Sequence, residues 1–272
     1  MSKGVLIDIP KCIGCGSCIV ACKLWNNREF DESNPAFTEN PVMCSENWTT
    51  VAIERPEING QEVLRFVKKQ CLHCLDPACL VSCFAKAFTI TEEGAVVYDP
   101  RLCVGCRYCM LACALRIPRY EWHRILPNVT KCQMCHQRMA EGDVPACVAV
   151  CPTSVMTFDT RENVLAKAKE ITTNPANGYV DHVYGEKELG GTTWMYISDV
   201  PFEQLGFKTV SQHGLSTNPI SHYLKDFHTA VKFMLGGGIF VMSGLYMYTS
   251  RRNKVSEGQE NNKSSKNEKD KA

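Results

Sequence analysis

Residues 71–113 read CLHCLDPACLVSCFAKAFTITEEGAVVYDPRLCVGCRYCMLAC. Two four-cysteine runs frame the stretch: Cys71, Cys74, Cys79 and Cys83, then Cys103, Cys106, Cys109 and Cys113. The second is Cys-x2-Cys-x2-Cys-x3-Cys. A short loop of this kind turns three thiols toward one point, and the fourth, a helical turn later, points away to a second site. Between the runs, residues 88–100 place β-branched and aromatic side chains on both sides of Glu92-Glu93-Gly94, which predicts a hairpin. Two further runs lie outside this stretch: Cys12, Cys15, Cys18 and Cys22, and Cys132, Cys135, Cys147 and Cys151.

The chain has 272 residues, seventeen of them cysteine, and a formal net charge of +1. That length supports one or two domains with ordinary cores, and the charge gives no general pull toward nucleic acid. A disulfide framework is excluded by crowding, because cysteines three or four positions apart cannot staple distant segments. Structural zinc takes two pairs of ligands, commonly with His among them, and the runs here overfill such a site. They suit an iron–sulfur cubane. Sixteen of the cysteines lie in the four motifs, so four per cubane gives four [4Fe–4S] clusters. Motif, helix, hairpin, motif, helix is the plan of a two-cluster ferredoxin, where the last cysteine of each motif serves the other cluster. On that geometry Cys71, Cys74, Cys79 and Cys113 hold one cluster, and Cys103, Cys106, Cys109 and Cys83 the next. Motifs one and four then exchange their last cysteines, grouping Cys12, Cys15 and Cys18 with Cys151, and Cys132, Cys135 and Cys147 with Cys22. The expected fold class is α+β: two nested ferredoxin-like units carrying four [4Fe–4S] clusters, plus one C-terminal transmembrane helix.

Other residues carry plainer expectations. Gly14 and Gly16 let the first loop curl. Trp25 is expected to pack against that loop, residues 28–50 to form polar loop, and Cys44 to be a spare thiol. Residues 48–69 read as two strands around Ile58-Asn59-Gly60. His73 is expected behind the ligands or on the surface, since four cysteines already suffice. Arg107 and Arg116 either offset cluster charge or are solvated. His123 and His136 read as surface residues, and 136–146 as an exposed loop. Residues 165–171 predict a short helix and 192–198 a strand, with turns at Val183-Tyr184-Gly185 and Gly190-Gly191. No Gly-rich nucleotide loop follows a strand, and no cysteine set is shaped for pterin or nickel, so no catalytic residue is expected.

Residues 231–249, VKFMLGGGIFVMSGLYMYT, form the one long apolar run. A helix of this length spans about 28 Å, close to a bilayer core. Three consecutive glycines argue against an aqueous helix, where each costs about 1 kcal/mol. Gly237 with Gly244, and Gly236 with Ser243, share a face that could pack on another membrane helix. After the run, 251–272 hold seven Lys/Arg against four Asp/Glu and few apolar residues, which predicts a disordered cytoplasmic tail. The cluster domain is then expected in the periplasm of a Gram-negative cell. Residues 1–11 have no apolar core of signal-peptide length, so export alongside a partner that carries the signal is expected.

Four motifs nested in this order resemble the iron–sulfur subunits of the complex iron–sulfur molybdoenzyme family. Cys22-Lys23-Leu24-Trp25-Asn26 is similar to the Cys-Lys-x-Trp-Asn of formate dehydrogenase beta subunits. Arg119-Tyr120-Glu121-Trp122, Tyr184-Gly185-Glu186 and Gly190-Gly191-Thr192 resemble stretches shared with hydrogenase electron-transfer subunits. Some relatives replace a motif cysteine and carry an altered cluster, whereas all sixteen are present here. The Cys-Pro step survives at Cys151-Pro152, while Lys23, Phe84 and Ala114 replace proline elsewhere. The resemblance implies a non-catalytic electron-transfer subunit in the cell inner membrane. It implies a catalytic partner, molybdopterin-type or nickel–iron hydrogenase, and an integral membrane cytochrome b or quinone-reactive partner. A quinone-reductase assembly and a soluble polyferredoxin-like carrier are the alternatives. The expected organisation is 1–60 and 126–228 as the two parts of the outer unit, the latter with a partner-facing wrap, 61–125 as the inserted unit, 229–250 as the membrane helix and 251–272 as the tail.

Overall fold

The structure, a computed structural model, describes residues 2–122, 124–125, 127–209 and 220–269. It divides into two compact units, Met1–Leu224 and Lys225–Ala272. In chain order the elements are β1 (Lys3–Asp8), α1 (Ser17–Trp25), β2 (Phe37–Thr38), β3 (Thr49–Glu54), β4 (Glu57–Ile58), β5 (Gln61–Glu62), β6 (Arg65–Gln70), α2 (Ala78–Val81), β7 (Phe88–Ile90), β8 (Val96–Tyr98), α3 (Tyr108–Ala112), β9 (Arg119–Tyr120), β10 (Val129–Thr130), α4 (His136–Ala140), α5 (Ala146–Ala149), β11 (Met156–Thr160), α6 (Arg161–Thr172), β12 (Trp194–Ile197) and α7 (Ile220–Lys269).

Strand β1 organises the first unit. It pairs antiparallel with β11, Val5 opposite Phe158, and parallel with β12, Val5 opposite Trp194. Its side chains alternate between two cores, as the pleat requires. Val5 and Ile7 join the main core with Trp194 and Tyr196, while Leu6 joins Val164, Ala168 and Met195 beneath α6. Both faces are covered, which is why the strand reads as one apolar run. Helix α6 begins where Thr160 caps it, its hydroxyl oxygen accepting from the Asn163 N–H at 3.3 Å. The pairing of β1 with β11 and the packing of α1 on α5 bring the first and fourth cysteine motifs together. The β7–β8 hairpin forms as the sequence predicts, Thr89 opposite Val97, with α2 packed on α3 beside it.

Several expectations are corrected. Residues 48–69 make two paired strands, β3 and β6, but the Asn59-Gly60 turn closes a separate small hairpin, β4–β5, inserted between them. The 136–146 segment is not all loop: it opens with α4, whose Met139 is buried. Trp25 is 42% exposed and lies under the Arg138 guanidinium at 5.0 Å rather than in the core. The helix around 165–171 is longer than predicted, because Thr160 and Glu162 supply a start signal upstream. His123 lies outside the described residues.

The second unit is helix. Residues Thr229–Arg252 are long and apolar enough to cross a membrane. The helical backbone continues to Lys269 through the segment whose composition reads as disordered. Lys, Glu, Gln and Arg there are good helix formers, so low apolar content does not by itself end a helix.

Leu6→Ala should cost about 2–5 kcal/mol, because it empties a site closed by β1, β12 and α6. A lowered unfolding midpoint by far-UV circular dichroism is the expected reading, and an unchanged midpoint would contradict this packing.

Candidate metal centres

The four motifs present their thiols in four groups. Cys12, Cys15, Cys18 and Cys151 line one cavity, walled by Val51, Phe66 and Lys68. Cys71, Cys74, Cys79 and Cys113 line a second, walled by Val96, Leu115, Ile117 and Lys131. Cys83, Cys103, Cys106 and Cys109 line a third with Phe88, Val104 and Val129. The remaining four act on one another electrostatically: Cys132 is pushed well up by burial and by Cys22, and Cys135 to about 11 by burial, with Cys147 and Cys22 adding to it. Cys44 lies in none of these groups and is half-buried in the loop before β3.

Local backbone geometry aims the sulfurs. Gly14 has φ +68, and a Cβ there would meet the Phe66 ring at 2.6 Å, so only glycine lets the first loop close over that ring. Gly105 plays the same part in the third motif, with Tyr120 Oη 2.8 Å from where a Cβ would stand. Non-glycine residues take left-handed conformations in these turns too, among them Arg107, Met134 and Cys135. The turned backbone points amides at sulfur. Gly105 N–H donates to Cys103 Sγ at 3.4 Å, Met134 N–H to Cys132 Sγ at 3.3 Å, Ala87 N–H to Cys83 Sγ at 3.3 Å and Ile117 N–H to Cys113 Sγ at 3.5 Å. Asn26 Nδ2 donates to Cys22 Sγ at 3.6 Å. Such bonds stabilise thiolate over thiol.

Burial works the other way. Desolvation pushes Cys18, Cys79 and Cys109 up to about 12, and Cys74 well above the ordinary thiol value. Neighbouring sulfurs reinforce the rise. A quartet of thiolates is held in such a cavity only by a group that brings positive charge, and a coordinated thiol is deprotonated outright. Three of the quartets ring apolar cavities instead of converging on a point. Among the described residues no three His, Cys, Asp or Glu side chains are placed to hold a single metal ion. Ringed thiols, aimed amides and apolar walls fit a cubane.

The sulfurs also order the groups. Cys147 acts on Cys18, Cys71 on Cys132, and Cys109 on Cys79. Electrostatic influence thus runs from the Cys22 group to the Cys12 group, from the Cys71 group to the Cys22 group, and from the Cys83 group to the Cys71 group. The solvent-exposed ligand candidates, Cys15 and Cys106, belong to the Cys12 and Cys83 groups.

Two side chains near the groups escaped sequence reading. Lys68 and Lys131 are buried between them, 3% and 2% exposed. His73 takes the buried one of its two expected positions; its Nδ1 accepts from the Val96 N–H at 2.9 Å, and burial, followed by Lys131, drives its pKa well down. The one available signal was strand alternation in β6, which puts Val67 and Lys69 on one face and Lys68 with Gln70, both buried, on the other. Arg107 is exposed and stacks over Trp122 at 4.9 Å and Tyr120 at 5.4 Å, a role the sequence did not suggest. His136 is half-buried with Nδ1 enclosed, not a plain surface residue.

Residues 63–161 match the 4Fe-4S dicluster domain family. The chain is 40% identical over 261 residues to a protein of Nitratidesulfovibrio vulgaris strain Hildenborough, covering 93% of this chain and 68% of that one. It is 32% identical over 292 residues to the hydrogenase-2 operon protein HybA of Escherichia coli O157:H7, covering 93% and 85% respectively. It is 34% identical over 236 residues to the formate dehydrogenase-O iron–sulfur subunit of Escherichia coli K12, covering 85% and 74%.

Gly14→Ala should open the first loop, since the added methyl collides with Phe66 and the backbone stays left-handed. Iron bound per chain should fall, with the loss confined to the group lined by Cys12, Cys15, Cys18 and Cys151. Iron content equal to wild type would contradict the close approach.

Proposed function

Because the chain belongs to the family of iron–sulfur subunits that includes the formate dehydrogenase iron–sulfur subunits and HybA, we propose that it is the electron-transfer subunit of a membrane-bound respiratory oxidoreductase. The observation that carries this reading is the gathering of the motif cysteines into groups, three of which line apolar cavities. Bound there, four [4Fe–4S] clusters supply one-electron redox chemistry.

The chain's own part is to hold and tune. Cys12, Cys15, Cys18 and Cys151 form the first ligand set, Cys22, Cys132, Cys135 and Cys147 the second. Cys71, Cys74, Cys79 and Cys113 form the third, and Cys83, Cys103, Cys106 and Cys109 the fourth. Read this way, the inserted unit carries the last two sets, and the nested ferredoxin-like unit around it carries the first two. Aimed amides favour the reduced state, and apolar walls exclude water. Partners dock at the first and fourth sets. Ile13 is exposed beside the first set, and Phe84, Val104 and Leu111 are exposed around the fourth, giving apolar surface where an electron must enter or leave.

A formate dehydrogenase is the favoured catalytic partner, since the Cys22-Lys23-Leu24-Trp25-Asn26 stretch resembles that family's beta subunits. A hydrogenase partner is the second reading, favoured by the match to HybA across 93% of this chain. The helix Thr229–Arg252 moors the subunit in the inner membrane beside a cytochrome b or quinone-reactive subunit. The seven Lys/Arg against four Asp/Glu in residues 251–272 support a cytoplasmic tail and, with it, a periplasmic cluster domain.

Purification of the native complex from detergent-solubilised membranes, with metal analysis of every co-purifying chain, tests this. The chain is expected in the detergent extract with a molybdenum-bearing partner; a nickel-bearing partner selects the second reading. A monomer released without detergent would contradict both.

A further inference from the structure

Lys68 and Lys131 are buried cations with no carboxylate partner. None of the ion pairs among the described residues includes either. An unpaired buried charge costs several kcal/mol, so something else must compensate it. The hydrogen bonds and the ring contact of the two ammonium groups are all to electron donors. Lys68 Nζ donates to Gln70 Oε1 at 2.8 Å and sits 4.6 Å from the centre of the Trp194 ring. Lys131 Nζ donates to the carbonyl oxygens of Val96 and, at 2.9 Å, Cys132.

Their positions relate them to the cysteines. Lys68 walls the cavity of Cys12, Cys15, Cys18 and Cys151, and also acts on Cys22 of the second group. Lys131 walls the cavity of Cys71, Cys74, Cys79 and Cys113, and its ammonium is hydrogen-bonded to the backbone of Cys132 in the second group. Each lysine therefore stands between two successive groups.

We propose that these lysines are shared counter-charges: Lys68 raises the reduction potentials of the first and second clusters together, and Lys131 those of the second and third. The inference rests on the ligand sets assigned above. A thiolate-ligated cluster gains negative charge on reduction, so a nearby fixed cation in a low-dielectric interior favours the reduced form. The second cluster, flanked by both lysines, gains most. Among the described residues lining the fourth cavity the one cation is the exposed Arg107, where solvent screens the charge.

The test is a redox titration followed by electron paramagnetic resonance on the native complex, with signals assigned through one cysteine-to-serine variant per ligand set. Iron per chain is measured first, so a wild-type preparation short of four clusters overturns the ligand sets and not the role of the lysines. Lys68→Met is expected to lower the first and second potentials and leave the fourth unmoved. Lys131→Met should lower the second and third. Lys68→Arg should stay near wild type. Unchanged potentials in Lys68→Met, an equal shift of all four, or an Arg variant that moves as far as the Met variant would each overturn the proposal. Should Lys68→Met lose iron, Lys68→Gln supplies a second neutral side chain that still reaches Gln70. Iron loss in both neutral variants but not in Lys68→Arg supports the counter-charge, and loss in all three contradicts it.

Discussion

Burying a thiol costs little, whereas burying a thiolate costs several kcal/mol unless positive charge takes the place of water. Most of this molecule is arranged around that difference. Cys74 and Cys132 are enclosed so completely that desolvation drives their pKa values well above the ordinary thiol range, and adjacent sulfurs drive them further. Left alone, such quartets would stay protonated and inert. The same sites supply what a metal-bound sulfur needs: backbone amides aimed at Sγ and apolar walls that keep water out. The two features belong together only if a cationic group occupies the cavity.

The backbone reaches this state by closing distant segments on each other. Strand β1 leads into the first motif and β11 leaves the fourth, so their pairing carries Cys151 back to Cys12 across the whole intervening chain. Loop closure over such a separation is entropically costly, and it is offset by the buried faces of Val5, Ile7 and Leu6. Glu188, buried beneath the 182–188 turn, accepts from the Gly185 N–H at 2.7 Å and from His182 at 2.8 Å, which fixes the Tyr184-Gly185-Glu186 stretch against β12. The region without cysteines is thus part of the scaffold that shapes the cavities. Tyr196 shows this directly, because its hydroxyl donates to the Lys68 carbonyl at 3.1 Å.

Local signals made much of this legible in the sequence. Cysteine spacing is a short-range property, and the grouping of last cysteines with partner motifs follows from one helical turn of geometry; three cavities are lined by such groups, while the Cys22, Cys132, Cys135 and Cys147 group lines none among the described residues. The 88–98 hairpin and the strand at 194–197 were readable from β-branched and aromatic alternation. What sequence could not supply was the environment of single polar side chains. Lys68 and Lys131 look like surface lysines until tertiary packing encloses them. His73 looks dispensable until Val96 is seen donating to it. Trp25 carries the composition of a core residue, but α1 turns it outward against Arg138. The small β4–β5 hairpin was missed because its Asn-Gly turn was credited to the longer strands that flank it.

An electron-transfer chain needs centres close enough to exchange electrons and insulated from solvent between its ends. The succession of cysteine groups, with exposed Cys15 and Cys106 in the first and last, has that form. All of it depends on what the sixteen motif cysteines hold. Iron and acid-labile sulfide, counted per polypeptide in anaerobically prepared protein, measure this most directly. Four cubanes predict sixteen of each, one iron and one sulfide for every motif cysteine. Clearly fewer at demonstrated full occupancy, or zinc in place of iron, would contradict the account.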